Sequence, residues 1–274
     1  MDIFLVVNAD DFGRTHEINR GVLHAFRYGI VSSTSIMPNF EAFDQAADMV
    51  KSYHLPVGIH FNLTEGCPVS ESTDVQSLVD SQGRFFKKST FMLYLMQGRI
   101  IERDVRTELC AQTQRCLDAG LQLDHYDSHH HIHVLPMISR VCQTCSIDFG
   151  ITKTRRISRP VQQQSLRSTA QQWLASFADS KLSFPGQSLT FWGFDLMNKI
   201  DKRAVLKQTL KQLQPGMHEL MCHPGFMSEE NIGLYNLERF DELQALCHES
   251  ITEQVAESKI KLYSFNDLEY TNAN

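Results

Sequence analysis

Two adjacent acids, Asp10 and Asp11, sit in the run Asn8-Ala9-Asp10-Asp11-Phe12-Gly13, and three more polar clusters follow: His60-Phe61-Asn62, Asp127-Ser128-His129-His130-His131-Ile132-His133, and His223-Pro224-Gly225. Paired acids at a crowded site can divide labour: one oxygen ligand holds a metal, and the other carboxylate acts as a general base toward water. We assign Asp11 to the metal and Asp10 to the base. An isolated Asp-Asp pair would serve equally well as a cap for the next helix. The surrounding histidines favour chemistry.

A lone histidine such as His60 is more often a satisfied core or surface residue than a ligand. The segment from Asp127 to His133 changes that reading, because it places four histidines and an acid in seven residues, and imidazole is a preferred ligand of zinc and related divalent ions. If the segment continues a strand, alternation puts Asp127, His129, His131 and His133 on one face and His130 on the other. A catalytic metal site needs about three protein ligands and an open position. Asp11, His60 and one histidine of the cluster suffice, and His129 is the choice for the third. The other histidines would orient ligands or touch substrate. His223 stands where a general acid could protonate the leaving nitrogen of an amide, although His-Pro-Gly alone reads as a structural turn.

These clusters need a scaffold that brings them together. Ile3 to Val7 is a continuous apolar, β-branched run, as expected of a strand buried on both faces. Ile18, Val22, Ala25 and Phe26 recur at helical spacing up to Gly29, and Ile30 to Met37 reads as the next strand. Further along, helices are predicted near 42–50, 104–119, 135–145, 161–178, 203–213 and 237–256. Strands are predicted at 56–61, 121–126, 150–157, 217–222 and 260–265. Residues 70–88 and 180–198 read as long loops, which often cover a binding site. Such β-α alternation predicts a mainly parallel sheet, closed into an irregular barrel or open, and we favour the barrel. All four clusters then fall at the C-terminal ends of strands, the active-site face of parallel α/β folds.

Composition is consistent with a folded enzyme. The chain has 274 residues, 42% hydrophobic and 21% charged, enough apolar surface for a core, and one domain over 1–274 is the default expectation. Net charge is −6 and the basic residues are scattered, apart from Lys153, Arg155, Arg156 and Arg159, so nucleic acid is not an expected partner. No apolar run near the start approaches the roughly 20 residues of a membrane span, and a cytoplasmic protein without a membrane partner is expected. Seven cysteines without a small-domain framework fit reduced thiols, and Cys142 and Cys145 read as helix-packing residues rather than a redox or zinc pair.

Taken together, these motifs resemble the YdjC-like carbohydrate deacetylase family, whose better-known members are the chitooligosaccharide deacetylases. The resembling residues are Val7 to Gly13, Gly58-Ile59-His60-Phe61-Asn62-Leu63-Thr64-Glu65-Gly66, Asp127 to His133, and Cys222 to Gly225. The resemblance implies an irregular (β/α) barrel of the polysaccharide-deacetylase-like type that hydrolyses the N-acetyl group of an acetylated amino sugar or short chitooligosaccharide. It also implies one divalent ion, Mg²⁺ or Zn²⁺, which by position falls on Asp11, His60 and His129. The base falls on the Asp10/Asp11 pair, and a homodimer is conceivable. Phe191, Trp192 and the Arg155/Arg156 pair are candidates for sugar contact, read more readily as packing and surface charge. The competing readings are a metal-dependent hydrolase of another small amide or ester, and a non-catalytic metal-binding protein. A phosphoester substrate would call for a glycine- or arginine-rich cradle that is not evident.

Overall fold

The computed structural model describes residues 2–157, 189–196, 200–228 and 234–268, with the side chains of 234 and 235 excepted. The predicted helix 161–178 and Arg159 lie outside these residues. Among the described residues all strand pairings in the sheet are parallel, in the order β4 (Leu123–Ser128), β3 (Val57–Phe61), β2 (Ser33–Ile36), β1 (Ile3–Phe12), β6 (Gly216–Cys222), β5 (Thr190–Trp192), with β7 (Ile260–Tyr263) also on β1. β7 pairs with Ile3 to Val6 and β2 with the later residues of β1, while β6 runs alongside Ile3 to Ala9. The sheet curls, giving an α/β half-barrel wrapped by helices.

The helices are α1 (His16–Tyr28), α2 (Phe43–Tyr53), α3 (Lys88–Met96), α4 (Glu102–Asp118), α5 (Pro136–Asp148), α6 (Lys202–Gln212), α7 (Leu234–Leu246) and α8 (Glu249–Glu257). Outward strand residues such as Val7, Ala9, Ile59, Phe61, Tyr126, Leu220 and Cys222 share one core with Val22, Ala25, Leu109, Ile138 and Val141 of the helices. Each large apolar side chain buried in it contributes about 1.5–3 kcal/mol. α1 begins where the Thr15 hydroxyl accepts from the Ile18 N–H at 3.2 Å. It packs closely on the turn after β6, because Gly21 has no Cβ: one built there would stand 2.5 Å from the Gly225 Cα. β1 and β6 pair in parallel and so end on the same side, and that contact holds α1 against their ends.

The inward positions are polar. Asn8, Asp10, Ser33, Ser35, His60, His125, Asp127 and Glu219 are all buried. Below them Val6, Leu189 and Phe265 close the barrel in a small apolar cluster, and the Phe265 ring stacks on His125 at 3.7 Å.

Several elements depart from the sequence expectation. The 150–157 stretch makes a single bridge, Thr154 to Tyr126, rather than a strand, and then turns Arg155 into the interior. The predicted helix 237–256 is two helices. His248 between them has extended backbone, and its ring caps α8 by accepting from the Ser250 N–H at 3.2 Å. α3 follows directly on the predicted loop 70–88 and has no amphipathic period to reveal it, with Phe91 buried while Leu93 and Met96 are exposed. Within 180–198, where a loop is expected, β5 forms. β4 ends at Ser128, and His129–Val134 is a 3₁₀ segment in which His130 and His131 take left-handed backbone, φ 57° and 55°. The strand-like alternation expected of the four histidines therefore does not occur.

Candidate active site

The acid pair owes its geometry to an irregularity in β1. Neighbouring residues of a regular strand face opposite ways, yet both Asp10 and Asp11 face the barrel mouth. The register between β1 and β2 shifts between Ala9 and Phe12, and Asp11 has φ 65°, a left-handed conformation that Asp tolerates better than most residues. This is the geometry of a bulge, which re-aims a side chain.

Asp11 is buried and shared. Its Oδ1 lies 3.1 Å from His129 Nδ1 and 3.4 Å from His60 Nε2, while Oδ2 accepts from Arg239 of α7 and has Arg14 Nη1 at 3.6 Å. Burial alone would raise its pKa, but Arg239 and His129 hold it well below the usual carboxylate range. His60 gives its other nitrogen to Asp127, with Nδ1 to Oδ1 at 2.7 Å. Burial disfavours its charged form, yet Asp127, Asp11 and Asp10 outweigh that and raise its pKa to about 10. The pKa of His129 is raised as well, against its burial, by Asp11 and Glu65.

Asp11, His60 and His129 each place a ligand atom within 4.8 Å of the others'. Ligand atoms bound tetrahedrally at about 2.0–2.2 Å to one ion stand roughly 3.3–3.6 Å apart, near the 3.1 and 3.4 Å separations from Asp11 Oδ1. His60 Nε2 is buried without a hydrogen-bond partner, and its opposite nitrogen is fixed by a carboxylate, the usual arrangement of a metal-bound histidine. The field that favours two protonated imidazoles would equally favour a divalent cation. The donor set therefore fits a metal ion.

Asp10 lies in a second network. Arg155 donates to it through Nη1 and Nη2, both at 2.6 Å, and Asn8 Nδ2 donates at 2.9 Å. The same guanidinium reaches Asp127 at 2.8 Å and Glu219 at 2.6 Å, and its side chain is fully buried. Asp10, His60 and Asp127 also converge closely enough to suggest a cation site, but the Arg155 guanidinium already fills that role. The reading of Arg155 as surface charge is thus corrected: it is the central cation of the barrel. Phe191 and Trp192 are buried packing residues, with the Trp192 indole donating to His218 at 3.1 Å.

His223 follows β6, and its N–H donates to Glu242 at 2.6 Å, with the same carboxylate 3.8 Å from ring Nδ1. Burial lowers its pKa below 6.5, although Glu242, Asp10 and Asp11 act the other way. Of the remaining histidines, His130 sits at the rim with Nδ1 3.0 Å from the Thr64 hydroxyl. His133 is buried on Ser128 at 2.7 Å, and the ring of His131 packs edge-on to Phe191 and Phe194. Sequence reasoning gave no role to Arg14, Ser35, Glu65, Glu219, Arg239 or Glu242. Only Glu65 carried a signal, its place in the run from Gly58 to Gly66.

All seven cysteines are free thiols, and Cys142 and Cys145 are buried in α5 as helix-packing residues. Among the described residues no helix is long and apolar enough to cross a membrane.

Known proteins are similar to this chain in sequence and in fold. A carbohydrate deacetylase from Brevibacillus brevis is 33% identical over 267 residues, covering 96% of this chain and 99% of its own. A chitooligosaccharide deacetylase from Yersinia enterocolitica is 33% identical, covering 97% and 100%. A solved structure from Enterococcus faecalis, named for cellobiose-phosphate cleavage, superposes with a TM-score of 0.81 at 24% identity over 97% of this chain and 98% of that one. A family 4 carbohydrate esterase from Streptomyces lividans, solved with acetate, has a TM-score of 0.52 at 10% identity over 99% and 98%. These two likenesses place the fold among polysaccharide-deacetylase-like half-barrels. The model of the YdjC-like protein family matches residues 4–257, and with its motifs set around one mouth of the half-barrel, the chain belongs to that family.

Proposed function

We propose that this protein is a metal-dependent carbohydrate deacetylase that hydrolyses the N-acetyl group of an acetylated amino sugar or short chitooligosaccharide and releases acetate. The observation that carries the reading is the convergence of Asp11, His60 and His129 on one small volume, beside a second carboxylate, Asp10, pinned by Arg155. The names of the relatives supply the substrate class.

A divalent ion held by Asp11, His60 and His129 would polarise the acetyl carbonyl and acidify a water. Asp10 takes the water's proton as general base. Its two oxygens accept from Arg155 and Oδ1 also from Asn8, which fixes the carboxylate's orientation and leaves one lone pair, on Oδ2, for the proton. His223 serves the leaving nitrogen. It rests neutral near pH 7, takes up the proton that Asp10 has removed from water, and passes it from the imidazolium, which Glu242 beside the ring favours, to the departing amine. Glu219, Asp127 and Asp10 around Arg155 keep the guanidinium charged and immobile.

The test is acetate release from N,N′-diacetylchitobiose by purified protein, with and without chelator, and with Mg²⁺ or Zn²⁺ restored. Release that disappears with chelator and returns with metal is the expected result. A folded, metal-loaded protein that releases no acetate from this or other N-acetylated sugars would overturn the reading.

A further inference from the structure

The two histidines of the triad are held in mirror-image fashion. His60 turns Nε2 toward Asp11 Oδ1 and gives Nδ1 to the buried Asp127. His129 does the reverse: Nδ1 faces Asp11 Oδ1 at 3.1 Å, and Nε2 meets Glu65 Oε2 at 3.0 Å. A carboxylate on the far nitrogen of a ligating histidine keeps the proton there and leaves the near nitrogen with its lone pair free. For His60 that carboxylate comes from the neighbouring strand. For His129 it comes from the loop after β3.

Glu65 is fixed well enough for that task. Its second oxygen accepts from Arg14, whose other terminal nitrogen lies 3.6 Å from Asp11 Oδ2, closing a ring of alternating charge through Asp11, His129, Glu65 and Arg14. Its backbone carbonyl accepts from Asn62 Nδ2 at 2.7 Å and Asn39 Nδ2 at 3.1 Å. Further along the same loop, Glu108 of α4 accepts from the N–H groups of Val69 and Ser70 at 2.9 and 3.0 Å. The loop is thus clamped on both sides of the carboxylate.

We propose that Glu65 is a positioning residue for the metal site: it holds the Nε2 proton of His129, so that Nδ1 of His129 and Nε2 of His60 are the nitrogens offered to the ion. This rests on the metal reading above and deepens it. Glu65 touches neither the reacting atoms nor, in this assignment, the ion.

The test uses Zn²⁺ alone as probe, titrated calorimetrically into wild type, Glu65→Ala and Glu65→Gln. Long-range ¹H–¹⁵N correlation spectra of the histidine rings in the zinc-loaded wild type complete it. The expected spectrum shows His129 protonated at Nε2 and bound through Nδ1, with His60 the opposite. Removing Glu65 is expected to weaken zinc binding about 10- to 100-fold, with a smaller loss in Glu65→Gln, whose amide oxygen can still accept from Nε2. His129 bound through Nε2, or zinc held as tightly by Glu65→Ala as by wild type, would overturn this assignment while leaving the metal site intact. A wild type that binds neither Zn²⁺ nor, in a parallel titration, Mg²⁺ would overturn both. The spectrum of the wild type decides even if Glu65→Ala fails to fold.

Discussion

Asp10 and Arg155 lie 145 positions apart in the chain and meet in a two-pronged pair, both nitrogen–oxygen distances 2.6 Å, in a barrel interior where the arginine is only 1% exposed. A planar guanidinium suits this geometry as an ammonium would not. Three carboxylates share that cation, Asp127 together with His60, which ties the stability of the barrel to the orientation of the proposed base.

Replacing Arg155 with Met should therefore leave Asp10, Asp127 and Glu219 buried without their shared countercharge, and should cost about 3–5 kcal/mol of stability. Urea unfolding at pH 7 measures it. A lysine at this position is expected to recover only part of the loss. A midpoint unchanged from wild type would mean that the carboxylates are neutralised in another way.

Asp10→Asn and Asp11→Asn should separate base from ligand. The first is expected to reduce acetate release by about 100- to 10,000-fold while zinc binding, followed by calorimetry, persists. The second should abolish both. Equal loss of zinc binding in the two variants would remove the division of labour between the acids.

The metal-free protein should lose stability as pH rises from neutrality. His60 has its pKa raised to about 10 in the fold, above the ordinary 6.5, so the stability gained from its protonation is complete below about pH 6.5 and fades as pH climbs toward 10. Once metal is bound the imidazole is a neutral ligand, and this dependence should flatten. Urea midpoints between pH 6.5 and 10, with and without zinc, check both expectations. A metal-free protein with constant stability across that range would contradict the charge assigned to His60.

Gly58→Ala should disturb the barrel floor. A Cβ there would stand 2.3 Å from two atoms of the His125 ring, and that ring has no room to retreat, being stacked on Phe265 and bonded to Asp124 at 2.5 Å. Overpacking of this kind costs about 1–3 kcal/mol, readable as a lowered thermal midpoint. An unaltered midpoint would show that the ring moves freely.

Most strands and helices that carry the site were legible because their signals are local. The apolar run at Ile3, the helical spacing of Ile18, Val22 and Ala25, and the polar residues that end β1, β3, β4 and β6 each lie within a few positions, and parallel topology then places the strand ends together. α3 was missed for a local reason too, since its apolar residues surround the helix instead of lining one face.

What the amino-acid order determined by itself is thus the parallel α/β architecture and the set of residues, Asp10, Asp11, His60, His129 and His223, that end its strands. Tertiary structure alone decided how they face. Pairings such as Asp11 with Arg239, 228 positions away, or His129 with Glu65, depend on loops and helices closing over one barrel mouth, and no spacing in the sequence encodes such distances. The bulge that turns Asp11 beside Asp10 depends on how β1 registers against β2. The burial that makes Arg155 a central cation, although the sequence gives it the look of surface charge, exists only once the sheet has curled around it.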